Sequence, residues 1–286
     1  AIVTGLLLII FGLLRLGLLA DFLSRPVLDG FVVGVALSFA AIGLVMLFAT
    51  GVVKRMDEAR ELAHSIIGTA ARAGLSTRAV VTDMNEVLGS TAGNALEIAE
   101  SVRFLRNEAR EPRLDEVTLA LCAEMLIVAG LETDREAATQ RCDEAVSSGR
   151  ASEVFSRMVA ALGGPTDFLD KYDAYLASAP VTRAVYGQGV LAGVDTRAVG
   201  NAIIELGGGR RQVGEKLDLS VGFSDIAPIG TELGPDRPLA IVHAASATAA
   251  EQAEKNLLSS VTVADAAPGE RPVICDILTG PASAMR

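Results

Sequence analysis

Two apolar stretches dominate the start of the chain. Neither residues 1–14 nor residues 30–53 contain a charged side chain. A bilayer core is spanned by about 20 helical residues, and a soluble helix of this length without a polar face is unusual. The pattern therefore predicts an apolar helical hairpin over residues 1–53 that associates with a membrane. A buried soluble helix is the alternative.

Lys54 and Arg55 come directly after the second apolar stretch. Positively charged residues favour the cytoplasmic side of a membrane. We therefore expect the rest of the chain to be cytoplasmic, with the hairpin as its anchor.

The chain then changes to the 3.6-residue period of amphipathic helices. The first such helix is predicted to end at Gly74, because glycine favours the left-handed position that terminates a helix. A buried strand is predicted at Ala79–Thr82. A second helix is predicted over residues 95–107, with Asn94 as its N-cap and Glu97 completing a capping box.

Three further periodic stretches predict a layer of four successive helices. From Pro180 onward, short apolar runs alternate with Gly, Asp and Pro turns, which is typical of a β-rich domain. Its strands are expected at residues 189–194, 221–223 and 239–242, with one helix at Thr196–Leu206.

These elements predict an α/β fold class with an N-terminal apolar helical hairpin. A partial central α/β domain covers residues 54–178, and a C-terminal β-rich α+β domain covers residues 179–267. Residues 268–286 are predicted to be a tail.

Charge and cysteine content narrow the function classes. The formal net charge is −10, and no cluster of Lys and Arg is present, which argues against a nucleic-acid partner. The three cysteines lack metal-ligand spacing and suit a reducing cytosol. Cys122 lies in an apolar run and is predicted to be a buried small hydrophobic residue. His64 and His243 have no local catalytic partners.

Three short segments carry candidate ligand groups. Asp83 and Asn85 follow the predicted strand, and parallel strands place ligand groups at their carboxyl ends; a turn role for Asp83 is the alternative. The loop Gly89–Asn94 lies at a helix start and is a weak candidate for phosphate, because it lacks a P-loop or Rossmann pattern. The GGGRR segment at 207–211 predicts either an anion site or a tight turn with solvated arginines.

The stretch LLRLGLLADFLSRPVLDGFVVGVALS resembles the sulfate permease family of anion transporters, over about residues 1–42. That family builds its substrate path from many helices in inverted repeats. Two helices cannot form such a path, so the resemblance implies that this segment can act as a membrane anchor but not as a transporter.

Further along, the motifs DEARELA, VVTDMNEVLGSTAGNALEIAESV, RLDEVTLALCAEML and AVGNAIIELGGGRRQVGEKLDLSVGFSDIAPIG occur in order. They resemble the thymidine phosphorylase and pyrimidine-nucleoside phosphorylase family over about residues 55–267. The resemblance implies that phosphate attacks the anomeric carbon of a pyrimidine deoxynucleoside and releases the base. It implies phosphate as co-substrate, no required cofactor, and a homodimer.

The chain departs from this family where the substrate is held. LFATGVVKRMDEAR stands in place of the family's V-G-S-G-A-F-M segment. The phosphate-binding Lys-His-Ser segment and the base-binding Arg, Ser and Lys that precede it have no counterpart. We therefore assign no catalytic, phosphate-binding or base-binding residue.

One partial site follows from the resemblance. Some family members hold a monovalent cation, and the matching positions here are Leu88 and Thr91, through backbone carbonyls, and Glu100, through its carboxylate. Oxygen ligands suit such a cation. The alternative is that Glu100 is an ordinary solvated helix residue.

Three hypotheses result. The first is a fragment of a thymidine phosphorylase that is inactive alone, and it is the one we favour. The second is a membrane-tethered binding or structural protein. The third is an anion-transporter fragment with a foreign tail.

Overall fold

The computed structural model describes residues 56–212 and 214–280. The predicted apolar hairpin over residues 1–53 lies outside these residues. The chain divides into two units, residues 1–58 and 59–286, and the architecture below is that of the second. None of the helices formed by the described residues has the length and hydropathy of a membrane span.

Helices and strands are mixed in this part of the chain. In order they are α1 (Met56–Arg72), β1 (Arg78–Thr82), α2 (Asn94–Leu105), α3 (Pro112–Val128), α4 (Arg135–Ser147), α5 (Arg150–Ala161), α6 (Tyr172–Tyr175), β2 (Val181–Val185), β3 (Gly189–Val194), α7 (Thr196–Leu206), β4 (Gly222–Ser224), β5 (Glu232–Leu233), β6 (Ala240–Ala244), α8 (Ala247–Ser259), β7 (Val261–Ala264) and β8 (Ile274–Thr279). The predicted succession of four helices is α2 to α5.

Helix α1 ends as its sequence predicts. Gly74 adopts φ 77°, and its N–H bonds to Ala71 O while the N–H of Leu75 bonds to Ala70 O. These are the two hydrogen bonds of a Schellman C-cap. The helix buries a stripe made of Ala59, Ala63 and Ile67, which recur every fourth residue because that spacing keeps them on one face.

Strand β1 is buried as predicted, but its pairing differs from the prediction. Its partner is β8, which runs antiparallel to it. The argument that Asp83 ends a parallel strand therefore does not hold for the described sheet. Strand β8 also lies in residues 268–286, the segment predicted as a tail. A contact between segments nearly 200 residues apart has no local signature in the sequence.

The C-terminal part is β-rich, as predicted. Two three-stranded antiparallel sheets have the orders β2-β6-β4 and β5-β3-β7. Their shared core includes Leu191, Phe223, Val242 and Leu257, all less than 2% exposed. The core also includes α7, found at its predicted bounds.

The prediction of a single helix in this domain is wrong. Helix α8 is a second one, with Ala250, Ala253 and Leu257 buried on one face. Ser246 caps it, since its Oγ accepts from the N–H of Ala249 at 3.2 Å. Most of the buried face is made of small alanines, and a large apolar residue, Leu257, joins it only near the end of the helix, so the periodic apolar signal of a core helix is weak.

The start of α2 also differs from the prediction. Gly93, not Asn94, is the N-cap, with φ 144°. Asn94 is the first helical residue, and its Nδ2 donates to Gly208 O at 2.9 Å. Glu97 does accept from the N–H of Gly93 at 2.9 Å, so half of the predicted capping box is present. A glycine is required at position 93 by its distant neighbours.

Those neighbours are Val221 and the first residues of β4. Ala92 and Phe223 exchange two backbone hydrogen bonds of 2.8 and 2.9 Å. A Cβ at Gly93 would stand 2.6 Å from Val221 O, and one at Gly222, where φ is 151°, would overlap Ala92 O. Only glycine fits either position, because side chains rarely adopt such φ values and there is no room for one.

We predict that Gly222→Ala lowers the free energy of unfolding by about 2–4 kcal/mol, from backbone strain and steric overlap. The measurement is urea unfolding followed by circular dichroism. Gly200→Ala is the matched control: Gly200 lies inside α7, and a Cβ there would meet no atom within 4 Å. The control is expected to stabilise by about 0.5–1 kcal/mol. Equal effects of the two substitutions would contradict the close approach.

Candidate functional site

The loop between β1 and α2, residues 83–93, carries most of the candidate ligand groups. It holds Asp83 and Asn85, the predicted cation ligands Leu88 and Thr91, and the small residues of the predicted phosphate loop. Its two ends are β1 and the N-cap of α2. The contacts of its side chains decide which of these predictions the geometry supports.

Glu100 is the centre of the loop's polar contacts. Its Oε1 accepts from the N–H and from the Oγ of Ser90, each at 2.7 Å. Its Oε2 accepts from Oγ1 of Thr91 at 2.5 Å. The side chain of Glu100 is buried, at 9% exposure, so the alternative of an ordinary solvated helix residue is wrong. A buried carboxylate is tolerated because these donors replace its water.

The predicted half-site is only partly assembled by these contacts. They join Thr91 to Glu100 through the threonine hydroxyl, whereas the prediction used the Thr91 and Leu88 carbonyls. No group of three His, Cys, Asp or Glu side chains suited to a metal occurs among residues 56–212 and 214–280. The carboxylate and hydroxyl oxygens have the hard character that a monovalent cation prefers. Binding of a cation by Leu88, Thr91 and Glu100 stays a prediction.

Gly89 explains why the loop closes on this carboxylate. A Cβ at Gly89 would stand 2.5 Å from Oε2 of Glu100. A side chain at this position would push the carboxylate away from Ser90 and Thr91. The glycine in the LGST motif therefore serves an internal hydrogen-bond network.

Asp83 has the turn role that we gave as the alternative. Its Oδ1 accepts from the N–H of Asn85 at 3.3 Å and from the Asn85 side chain. Its backbone oxygen accepts from Nη2 of Arg113 at 2.9 Å. An aspartate that bonds the backbone two residues ahead forms an Asx turn. Both side chains that we predicted as ligand groups are thus engaged within the loop.

Arg113 ties the loop to helix α3, and Glu86 ties it to the connection between β4 and β5. Its Nη1 lies 2.9 Å from Oε1 of Glu86 and 3.8 Å from Oδ2 of Asp83. Oε2 of Glu86 accepts in turn from the N–H of Ile229 at 2.9 Å. The Nε atom of Arg113 is buried without a hydrogen-bond partner. One cation facing two carboxylates leaves this cluster net negative.

A cavity of about 200 Å³ lies beside this cluster. Its polar lining combines one hydroxyl, two carboxyls and two guanidinium groups. Burial raises the pKa of Glu111, although hydrogen bonds from the backbone of Leu114 and Arg113 lower it and Glu100 raises it further. The lining residues are Glu86, Val87, Gly89, Ser90, Glu111, Pro112, Arg113, Val194, Ile226, Ala227, Pro228 and Arg237.

A second, more open cleft of about 980 Å³ borders strands β3 and β5. Arg237 lines both this cleft and the smaller cavity. It is the single basic residue among the cleft's lining residues, where Glu232 and Asp236 carry the opposite charge. The remaining lining residues are Tyr186, Gly187, Gln188, Gly189, Leu233, Gly234 and Pro235.

The GGGRR segment does not contribute to either cavity. Gly207 is the C-cap of α7, with φ 96°. The N–H groups of Arg211 and Gln212 donate to the carboxylate of Glu215, at 2.8 and 3.3 Å. These hydrogen bonds lower the pKa of Glu215. The backbone amides that we proposed for an external anion thus hold an internal one, which fits the tight-turn alternative.

One polar pair was missed by the sequence analysis. Oγ of Ser224 lies 2.8 Å from Nε2 of His243 across strands β4 and β6. Burial lowers the pKa of His243, and nearby Asp225 partly opposes this effect. His64 lies exposed on α1. The contact follows from the strand register, which pairs Gly222 with His243. This register cannot be read from the sequence, so the contact could not be predicted.

Residues 35–152 match the family model described as glycosyl transferase family, a/b domain. Residues 190–264 match the one described as pyrimidine nucleoside phosphorylase C-terminal domain. The first match begins inside the predicted second apolar helix and includes part of the transporter-like segment. These two domain matches, in this order, support a pyrimidine nucleoside phosphorylase-like family for the chain.

Proposed function

We propose that this chain forms the C-terminal part of a thymidine phosphorylase and is inactive without the phosphate-binding and base-binding segments of that family. The reaction is phosphorolysis. A phosphate oxygen attacks C1′ of the nucleoside, the bond from C1′ to the base nitrogen breaks, and the base leaves with the bonding electrons and takes up a proton. The products are thymine and 2-deoxyribose 1-phosphate.

The observation that carries this proposal is the junction between the loop and β4. Ala92 lies in the segment that matches the a/b domain, and Phe223 lies in the segment that matches the phosphorylase C-terminal domain. Their paired hydrogen bonds join the two matched segments. Backbone pairing of this kind fixes the position of the loop at 83–93 against β4, as a substrate site built at this junction would require.

The cavity beside Arg113 and the open cleft beside β3 and β5 support the second half of the proposal, inactivity of the chain alone. Sites for drug-sized ligands occupy about 300–1,000 Å³, and the cavity beside Arg113 has about 200 Å³. It is too small to hold a nucleoside together with phosphate. The open cleft is large enough, but two carboxylates face its one arginine, and such a balance repels phosphate.

Rate enhancement in phosphoryl and glycosyl transfer depends on groups that position both reactants and stabilise developing charge. For this family those groups are the Lys-His-Ser segment and the base-binding Arg, Ser and Lys. In this chain, contacts of Glu100, Arg113 and Phe223 hold the loop at 83–93 in place. Preorganisation of this kind supports a site but does not replace its charged groups.

We predict that the purified chain alone releases no thymine from thymidine and phosphate above an enzyme-free blank. Adding a separately expressed N-terminal half of a thymidine phosphorylase is expected to restore release. The measurement is chromatographic quantification of thymine, with the N-terminal half alone as control. Release by the chain alone would contradict the prediction of inactivity.

The same assay tests the substrate assignment. Uridine is offered beside thymidine to the reconstituted pair, and thymidine is expected to react with the higher kcat/KM. A pair that binds together but prefers uridine would contradict thymidine as substrate. A pair that binds together and cleaves neither nucleoside would contradict the phosphorylase proposal itself.

We further predict that Glu100→Gln lowers the free energy of unfolding by about 1–3 kcal/mol, because three donors lose a charged acceptor. Urea unfolding measures the change. Glu97→Gln is the matched control on the same helix: Glu97 accepts one hydrogen bond, and burial already raises its pKa. Its cost is expected to be about 0.5–1 kcal/mol. Equal costs would contradict the central position of Glu100.

A cation at Leu88, Thr91 and Glu100 is tested by the melting temperature in potassium chloride and in tetramethylammonium chloride at equal ionic strength. If the half-site binds potassium, the chain melts at a higher temperature in potassium, since a ligand of the native state stabilises it. Glu100→Gln removes the difference, whereas Glu97→Gln retains it. Identical melting temperatures in the two salts would show that this half-site, without further ligands, does not bind potassium.

A further inference from the structure

Two of the three cysteines lie on neighbouring helices. Cys122 is on α3 and Cys142 is on α4, and a six-residue connection, 129–134, joins the two helices. Cys122 precedes Glu132 by ten residues, and Cys142 follows it by ten. In an antiparallel helical hairpin, residues equally distant from the turn lie at the same level.

Ion pairs establish that the hairpin is antiparallel. Near the turn, Nε of Arg135 at the start of α4 lies 2.7 Å from Oε1 of Glu124 near the end of α3. At the opposite end, Nη1 of Arg110, just before α3, lies 2.7 Å from Oδ1 of Asp143 on α4. The two helices also bury Ala123 and Ala138 completely. Small residues at such a contact allow the helix axes to approach closely.

The two thiols are near enough that each influences the pKa of the other. Both residues are free cysteines and only partly buried, so the prediction of a buried Cys122 is wrong. A reagent in solution can therefore reach the pair.

We propose that Cys122 and Cys142 are a dithiol modification site, oxidised to an intramolecular disulfide by a small-molecule disulfide such as oxidised glutathione. The thiolate of Cys142 attacks one sulfur of the reagent and releases one thiolate, which takes up a proton. The thiolate of Cys122 then attacks the sulfur of Cys142 and releases the second. Two protein thiols and one reagent disulfide become one protein disulfide and two reagent thiols.

The order of attack follows from the surroundings of each sulfur. Burial raises the pKa of the Cys142 thiol, but the charge of Arg141 and the hydrogen bond from Cys122 lower it. Burial raises the pKa of Cys122, and Cys142 raises it further by its proximity and hydrogen bond. The thiolate is the attacking form, and of the two sulfurs Cys142 is the one beside a cation, Arg141, that favours it; we therefore assign the first attack to Cys142.

The experiment treats the purified chain with oxidised glutathione and maps its disulfides by mass spectrometry of proteolytic peptides. The expected result is a cross-link between the peptides of Cys122 and Cys142, lost on treatment with dithiothreitol. The cross-linked chain is expected to melt at a higher temperature, because the disulfide restrains the unfolded chain.

Three variants decide the assignment. Cys122→Ser is expected to accumulate glutathione on Cys142, since the resolving thiol is missing. Cys142→Ser is expected to take up glutathione more slowly and to form no internal cross-link. Cys275→Ser is the matched control and retains the cross-link.

The proposal fails if the oxidised wild-type chain keeps all three thiols free, or if Cys275 provides one half of the cross-link. Faster glutathione uptake by Cys142→Ser than by Cys122→Ser would overturn the order of attack. The wild-type peptide map does not depend on the folding of any variant.

Discussion

The close approach of two backbones at Gly93 and Gly222 is the constraint on which the described fold depends. At each glycine, backbone atoms of the other segment fill the space that a Cβ would need, and each glycine adopts a φ value that favours this residue type. Their contact lets Ala92 pair with Phe223 and so covers the free edge of β4, the outer strand of its sheet. An uncovered strand edge would leave its backbone groups unpaired. The start of α2 is set by the same contact, because Gly93 is also its N-cap.

The loop joined to β4 is also held by charged side chains that are buried or partly buried. Glu100 accepts hydrogen bonds from Ser90 and Thr91, and Glu86 links Arg113 to the backbone of Ile229. Buried carboxylates are costly unless their oxygens are paired, so these contacts favour one conformation of the loop. The loop is thereby organised by contacts within the chain itself.

The sequence predicts what depends on neighbours along the chain and misses what depends on distant ones. The Schellman end of α1 at Gly74, the bounds of α7 and the strand β3 follow from local residue types and period. The N-cap of α2 was predicted at Asn94, because the partner that requires glycine lies nearly 130 residues away. The pairing of β1 with β8 and the contact of Ser224 with His243 likewise need the strand register. Glu100 was named by the family resemblance, and only the fold shows that its carboxylate is buried and accepts from hydroxyl and amide donors; its role as a cation ligand stays a prediction.

Helix α3 connects the cavity to the cysteine pair. Its first turn carries Glu111 and Arg113, which line the cavity, and Cys122 lies about two and a half turns further along. The helix is held at its start by the N-cap bond from the Leu114 N–H to Glu111, and near its end by the ion pair of Glu124 with Arg135. A disulfide between α3 and α4 would add a covalent restraint between these two attachments.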